Sequence, residues 1–169
     1  MTHAHKDSIT ATLNAVRQVL ADDARTPLEE LELDDAVWGL LSEPMHPAPA
    51  SDWPEWARHF VAQRWVEGDI GNGGLDQAML NVPDWFDLAA QAYAAQGLHE
   101  MAQVLRDAAD WLAQQTPQPS WQNLQQLPQP VLRAMDELCN RVSELGEDHW
   151  NVSDRREAQL RALHANGAL

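Results

Sequence analysis

The stretch Leu98-His99-Glu100-Met101-Ala102-Gln103-Val104-Leu105-Arg106-Asp107-Ala108-Ala109-Asp110-Trp111-Leu112-Ala113-Gln114-Gln115 decides the fold class. Leu98, Met101, Leu105, Ala108 and Leu112 recur at steps of three and four, which puts them on one face of a helix. A strand would need a period of two. Gly97, just before the stretch, is the residue type that ends a preceding helix. The same pattern repeats outward. Toward the N-terminus, the spacing predicts a helix from Pro83-Asp84 to Gln96 and a short one over residues 74–81. A further helix is expected from Asp52 to Glu67, with Trp53, Trp56, Ala57, Phe60, Val61 and Trp65 on its apolar face, interrupted by the glycines of 68–74. Earlier still, Thr26-Pro27-Leu28-Glu29 carries helix-start signals: a capping hydroxyl, a proline at the first helical position and a glutamate three residues after the threonine. That helix should reach about Ser42. Ile9, Leu13, Val16 and Leu20 mark a first helix over residues 7–22. Toward the C-terminus, helices are expected over 130–145 and, capped by Ser153, over 153–166. The expectation is one compact all-α domain over residues 1–169, with about seven to nine helices. Proline-rich loops are placed at 43–52 and 115–130, the second with a helical turn at 121–127.

Composition agrees. Ala (25), Leu (21) and Gln (14) dominate, while Val, Ile and Thr together number 17, a helical rather than a strand balance. Among 169 residues 44% are hydrophobic and 22% charged, enough for a core in one domain. Acidic residues number 26 against 11 basic, a net charge of -15. That argues against binding nucleic acid or anionic lipid, both of which need clustered Lys and Arg. The single cysteine, Cys139, excludes an internal disulfide or a Cys-based zinc cluster, and its place among apolar helix positions reads as core packing rather than nucleophile. His3 and His5 have no partner ligands at recognisable spacing. No metal, cofactor or catalytic set is expected. No apolar run approaches a membrane span and no apolar h-region follows the N-terminus, so a cytoplasmic protein is expected. Of the eight tryptophans, Trp53, Trp56, Trp65, Trp85 and Trp111 fall on core faces, and Trp38, Trp121 and Trp150 are interface candidates. Arg155, Arg156 and Arg161 of the last helix are available to pair with acids.

The charge is unevenly spread. Residues 26–100 hold 14 acidic and two basic residues, most of the net charge. Glu29, Glu30, Glu32, Asp34 and Asp35 form the densest run, and Asp52, Glu55, Glu67, Asp69, Asp76, Asp84 and Asp87 follow. Like charges one helical turn apart repel by a few tenths of a kcal/mol. A concentrated negative field steers a positively charged partner; a solvated surface without a partner is the plainer alternative.

The segment from Trp65 to Asn81, with Asp69 followed by Asn72-Gly73-Gly74, then Gln77 and Asn81, resembles a family of small acidic all-helical bacterial proteins that includes a DNA mimic. The Ala-rich helix after it, Gly97 and residues 101–108 continue the resemblance, which covers residues 55–115 well and the remainder loosely. Leu75 stands where the family has an aromatic residue, and residues 78–80 lack the aromatic expected before Asn81. Gly73 and Gly74 can adopt positive φ and allow close helix approach. Asn72 can cap the short helix, and Gln77 and Asn81 can bond backbone groups exposed at the corner. This structural use outweighs a ligand site built from Asn72, Gln77 and Asn81.

The resemblance implies a non-enzymatic acidic protein, as a homodimer, that occupies the basic DNA-binding site of a transcription factor or other DNA-binding protein. Glu29, Glu30, Glu32, Asp34, Asp35, Asp69, Asp76 and Asp84 are the expected contacts. Two alternatives are an immunity-like or antitoxin-like inhibitor of a nuclease, and a small-ligand binder or enzyme at the 72–81 corner. The latter predicts a concave pocket lined by Asn72, Gln77 and Asn81.

Overall fold

The computed structural model describes residues 3–28, 32–45 and 51–169, with side chains from residue 6 onward. Among these residues the chain is all-α, with no strand. The helices are α1 (His3–Arg25), α2 (Glu32–Met45), α3 (Glu55–Gly73), α4 (Leu75–Asn81), α5 (Phe86–Ala95), α6 (His99–Gln114), α7 (Gln129–Leu145) and α8 (Ser153–Ala165). Short 3-10 turns lie at Pro83–Trp85, Leu124–Gln126 and Glu147–His149. Contacts group the chain into two compact units, Met1–Ala57 with Val152–Leu169, and Arg58–Asn151.

The first unit packs α1, α2 and α8 on one another. Val16 and Leu20 of α1, Leu33, Val37 and Leu41 of α2, and Leu160 of α8 are buried. Charge also ties the three helices together. Arg156 donates from Nε to Asp34 Oδ1 at 2.8 Å and from Nη2 to Oδ2 at 3.1 Å, a two-point pair with both side chains 1% exposed. Glu157 accepts the Asp34 backbone N–H at 3.2 Å. Arg161 reaches Asp23 from Nε at 2.8 Å and from Nη2 at 3.1 Å, and Glu157 from Nη1 at 3.2 Å. The Arg161 hydrogen bonds hold the Asp23 carboxyl below its ordinary value of 3.8, overcoming the upward push of burial, and the Leu28 N–H adds to the lowering. The stabilisation from Asp23 is therefore present above the ordinary value and lost as pH falls through the lowered one.

Asp23 also explains why the second helix does not start at Pro27. Its Oδ1 accepts the Leu28 N–H at 2.9 Å, while the Thr26 N–H returns to the Asp22 carbonyl at 2.9 Å. Thr26 and Pro27 thus belong to the exit from α1, and α2 begins at Glu32. Glu29, the last member of the expected capping box, lies outside the described residues. α1 is longer than expected at both ends, and α2 runs past Ser42 to Met45 with Pro44 in its last turn. Residues 46–50 of the expected loop also lie outside the description.

In the second unit α5 and α6 pack more extensively on one another than any other described helices. Gly97, at φ 79°, reverses the chain between them. Its N–H bonds the Ala94 carbonyl at 3.0 Å and the Leu98 N–H bonds that of Tyr93 at 2.9 Å. These two bonds close the end of α5 as a Schellman motif. The five positions that announced α6, Leu98 to Leu112, are all buried, and they share the core with Trp85, Phe86 and Tyr93. Gln63 of α3 and Gln96 at the end of α5 exchange amide hydrogen bonds at 3.1 and 3.2 Å. The loop after α6 turns at Leu124–Gln126, inside the expected segment; Asn123 braces it by accepting the Ser120 N–H and donating to the Gln118 carbonyl.

Three local expectations are corrected. Residues 68–73 do not interrupt the helix, because α3 runs to Gly73. Val66 and Ile70, one turn apart and both buried, hold the glycine-rich turn in helical form, and the Gly74 N–H closes it on the Ile70 carbonyl at 2.9 Å. α5 starts at Phe86, after the 3-10 turn that opens with Pro83, rather than at Asp84. Ser153 is the buried first residue of α8, and Val152 occupies the cap position without a side-chain bond.

Candidate functional site

The glycine corner is a wired joint. Asp69 Oδ1 accepts from Gln77 Nε2 at 2.9 Å and from Asn81 Nδ2 at 3.0 Å. Asn81 Oδ1 in turn accepts the Trp121 indole N–H at 2.8 Å. Gln77 reaches Asp69 by lying over Gly73, where a β-carbon would overlap its amide. Gly74 sits at φ 93° and ψ 177°, a region open essentially to glycine. Gln77 and Asn81 thus serve a carboxylate and not the backbone groups expected from the sequence. Gly73 is helical, so Gly74 alone of the two takes positive φ. Asn72 is an exposed residue of α3 and does not cap α4, whose cap position is Gly74.

The acids expected to meet a partner fall into different surroundings. Glu32 and Asp35 are exposed in the first turn of α2. Asp34, between them, is buried against Arg156, so it is removed from the acidic surface. Asp69 is half-buried and engaged by two amides. Asp76 is half-buried at the start of α4. It stands close enough to Cys139 that, after burial, its charge helps push the thiol up to about 11, consistent with an inert side chain. Asp84 is exposed in the Pro83 turn, and Asp87, which the sequence placed in the acidic series but not among the contacts, is exposed in the first turn of α5. Glu29 and Glu30 lie outside the described residues. The first unit therefore presents Glu32 and Asp35, the second Asp76, Asp84 and Asp87. Six helices, α2 to α6 and α8, carry an acid in the first turn. There it opposes the positive end of the helix dipole, so part of the acidic excess has a local cause.

The tryptophans divide likewise. Trp53 and Trp85 are buried, while Trp56, Trp65 and Trp111 are only half-buried. Trp150, an interface candidate, is half-buried: its ring stands 3.6 Å from where a Gly71 β-carbon would be, and its carbonyl accepts the Tyr93 hydroxyl at 2.7 Å. Trp121 is 54% exposed.

Beside the joint lies a cleft of about 440 Å³, with Met79, Leu80, Pro83 and Leu112 as apolar wall and Asp84 and Asp87 as carboxylates. None of Asn72, Gln77 and Asn81 lines it, so it is not the pocket expected of a ligand site at the corner. The signal for it in the sequence is Asp84 and Asp87 three residues apart after a helix-breaking proline. Among the described residues no three His, Cys, Asp or Glu side chains are grouped to hold a metal, and no helix is long and apolar enough to cross a membrane.

Fold and surface together define an acidic all-helical protein, some of whose exposed carboxylates stand at helix starts. The family model of DMP19-like proteins matches residues 51–165, and the chain belongs to that family. No curated protein and no solved structure matches it.

Proposed function

We propose that this is a non-enzymatic DNA mimic, which occupies the basic DNA-binding face of a transcription factor or other DNA-binding protein. The observation that carries the reading is membership of the DMP19-like family by a chain with 14 acids against two bases over residues 26–100. DNA presents one phosphate charge per about 3.4 Å of axis on each strand. In this reading surface carboxylates of each unit stand in for such phosphates. The contact set is Glu32, Asp35, Asp76 and Asp84, with Glu29 and Glu30 from the same acidic run; Asp34 is left out because it is buried, and Asp69 because it is half-buried in the corner under two amides. A homodimer doubles the charged surface, and the cytoplasm is where such a partner is met.

The test is capture of a DNA-binding protein on the immobilised chain at low salt, followed by elution with duplex DNA. Replacement of Glu32, Asp35, Asp76 and Asp84 by Lys is expected to reduce capture at least tenfold while the helical circular dichroism is kept. A bound protein that duplex DNA does not release, or equal capture by the variant, overturns the reading. Sedimentation showing monomer at micromolar concentration removes the homodimer.

A further inference from the structure

We propose that the cleft beside the glycine joint is a receptor for a single arginine side chain of the partner's basic surface. The inference rests on the mimic reading for the partner's charge, and on the cleft itself for the choice of arginine.

The cleft is not simply another acidic patch. Its wall combines apolar side chains, Met79, Leu80, Pro83 and Leu112, with about as much polar surface, and its charged groups are the carboxylates of Asp84 and Asp87, with no basic side chain in the lining. At about 440 Å³ it lies in the size range of small-molecule sites, so it holds a long side chain rather than a bare ion. Leu112 and Ala113 bring the last turn of α6 to the cleft. The carbonyls ending a helix carry partial negative charge, and no basic residue stands in that turn to offset it. Apolar side chains beside carboxylates and a negative helix end together match an aliphatic stem bearing a cation.

The choice of arginine over lysine comes from the neighbouring loop. Gln118 and Pro119 also line the cleft, and Trp121 follows two residues later. Trp121 is 54% exposed, yet its indole N–H is fixed to Asn81, which the chain places between Leu80 and Pro83. An exposed ring held in one orientation is a docking surface for a planar cation. Guanidinium is planar, more weakly hydrated than ammonium, and forked so that it can take two carboxylates at once. The joint made by Asp69, Gln77 and Asn81 then has a use: it positions Trp121. Carboxylates that imitate phosphates attract any basic protein, and a cleft fitted to one side chain discriminates among them.

The full chain, labelled with ¹⁵N, is titrated with N-acetyl-arginine amide and separately with N-acetyl-lysine amide. Saturable shifts are expected at the Trp121 indole and at the amides of Ala109, Leu112 and Ala113, with the lysine compound at least tenfold weaker. The double variant Asp84→Asn, Asp87→Asn alters exposed groups without changing their shape, and is expected to weaken arginine binding at least tenfold. Shifts that fail to saturate, that spread equally over both units, or that survive in the double variant overturn the inference. The two readings fail separately. DNA-competed capture that the double variant leaves unchanged discards the cleft and keeps the mimic. Arginine binding at the cleft without any DNA-competed partner discards the mimic.

Discussion

Arg156 is 1% exposed and its guanidinium has Asp34, equally buried, at two points. A charge in that position loses its hydration on folding, and the pair recovers the loss only through good geometry. Removing one member therefore costs more than the pair contributes. Arg156→Met is expected to destabilise the protein by about 3–5 kcal/mol, seen as an early urea midpoint. The double variant with Asp34→Leu should regain most of that, because no buried charge is left without a partner. A single variant within about 0.5 kcal/mol of the parent, the ordinary range for surface changes, would show that the pair is not sealed from water. The same residues set the limit of what the sequence discloses. Asp34 stands in a run of acids and reads as surface; its partner lies 122 positions further along, and no local pattern links the two. Asp69 is the parallel case: its spacing to Gln77 and Asn81 is visible, but not that both amides turn to its carboxylate.

At the scale of elements, periodicity was a sound guide wherever an apolar stripe was long. The five apolar positions that announce α6, from its cap residue Leu98 to Leu112, are buried, Gly97 ends α5 as its position implies, and α7 lies within one residue of expectation. The guide failed at residues 68–73, where composition alone signals a break. Each glycine inside a helix costs up to about 1 kcal/mol relative to Ala, but burial of Val66 and Ile70 outweighs it, and burial is a property of neighbours distant in sequence. A test follows from the glycines themselves. A β-carbon at Gly68 would meet nothing within 4 Å, so Gly68→Ala should stabilise by about 0.5–1 kcal/mol. Gly74 is held at φ 93°, where a side chain is strained, so Gly74→Ala should destabilise by about 1–3 kcal/mol. Thermal unfolding of the two variants must move in opposite directions; movement of both downward would mean that α3 ends before Gly68.

For the whole molecule, the net charge of -15 acts on stability and on association in opposite senses. Excess like charge repels itself in the folded state, and the same field draws in a cationic partner. The sequence states the total and its concentration in residues 26–100, but not its division among buried pairs, helix starts and open surface. Asp34 and Asp23 are neutralised by arginines of α8, whereas Asp84 and Asp87 stand exposed. Salt separates these populations. Screening length falls from about 30 Å at 0.01 M to about 8 Å at 0.15 M, which weakens repulsion among exposed acids and leaves the buried Asp34–Arg156 pair almost unaffected. The melting temperature is therefore expected to rise between those two salt concentrations, while capture of the DNA-competed partner falls over the same range. A melting temperature that drops with salt would mean that exposed pairs such as Arg141 with Asp107, 2.7 Å apart, outweigh the repulsion. The acidic excess would then be balanced within the fold rather than held available for a partner.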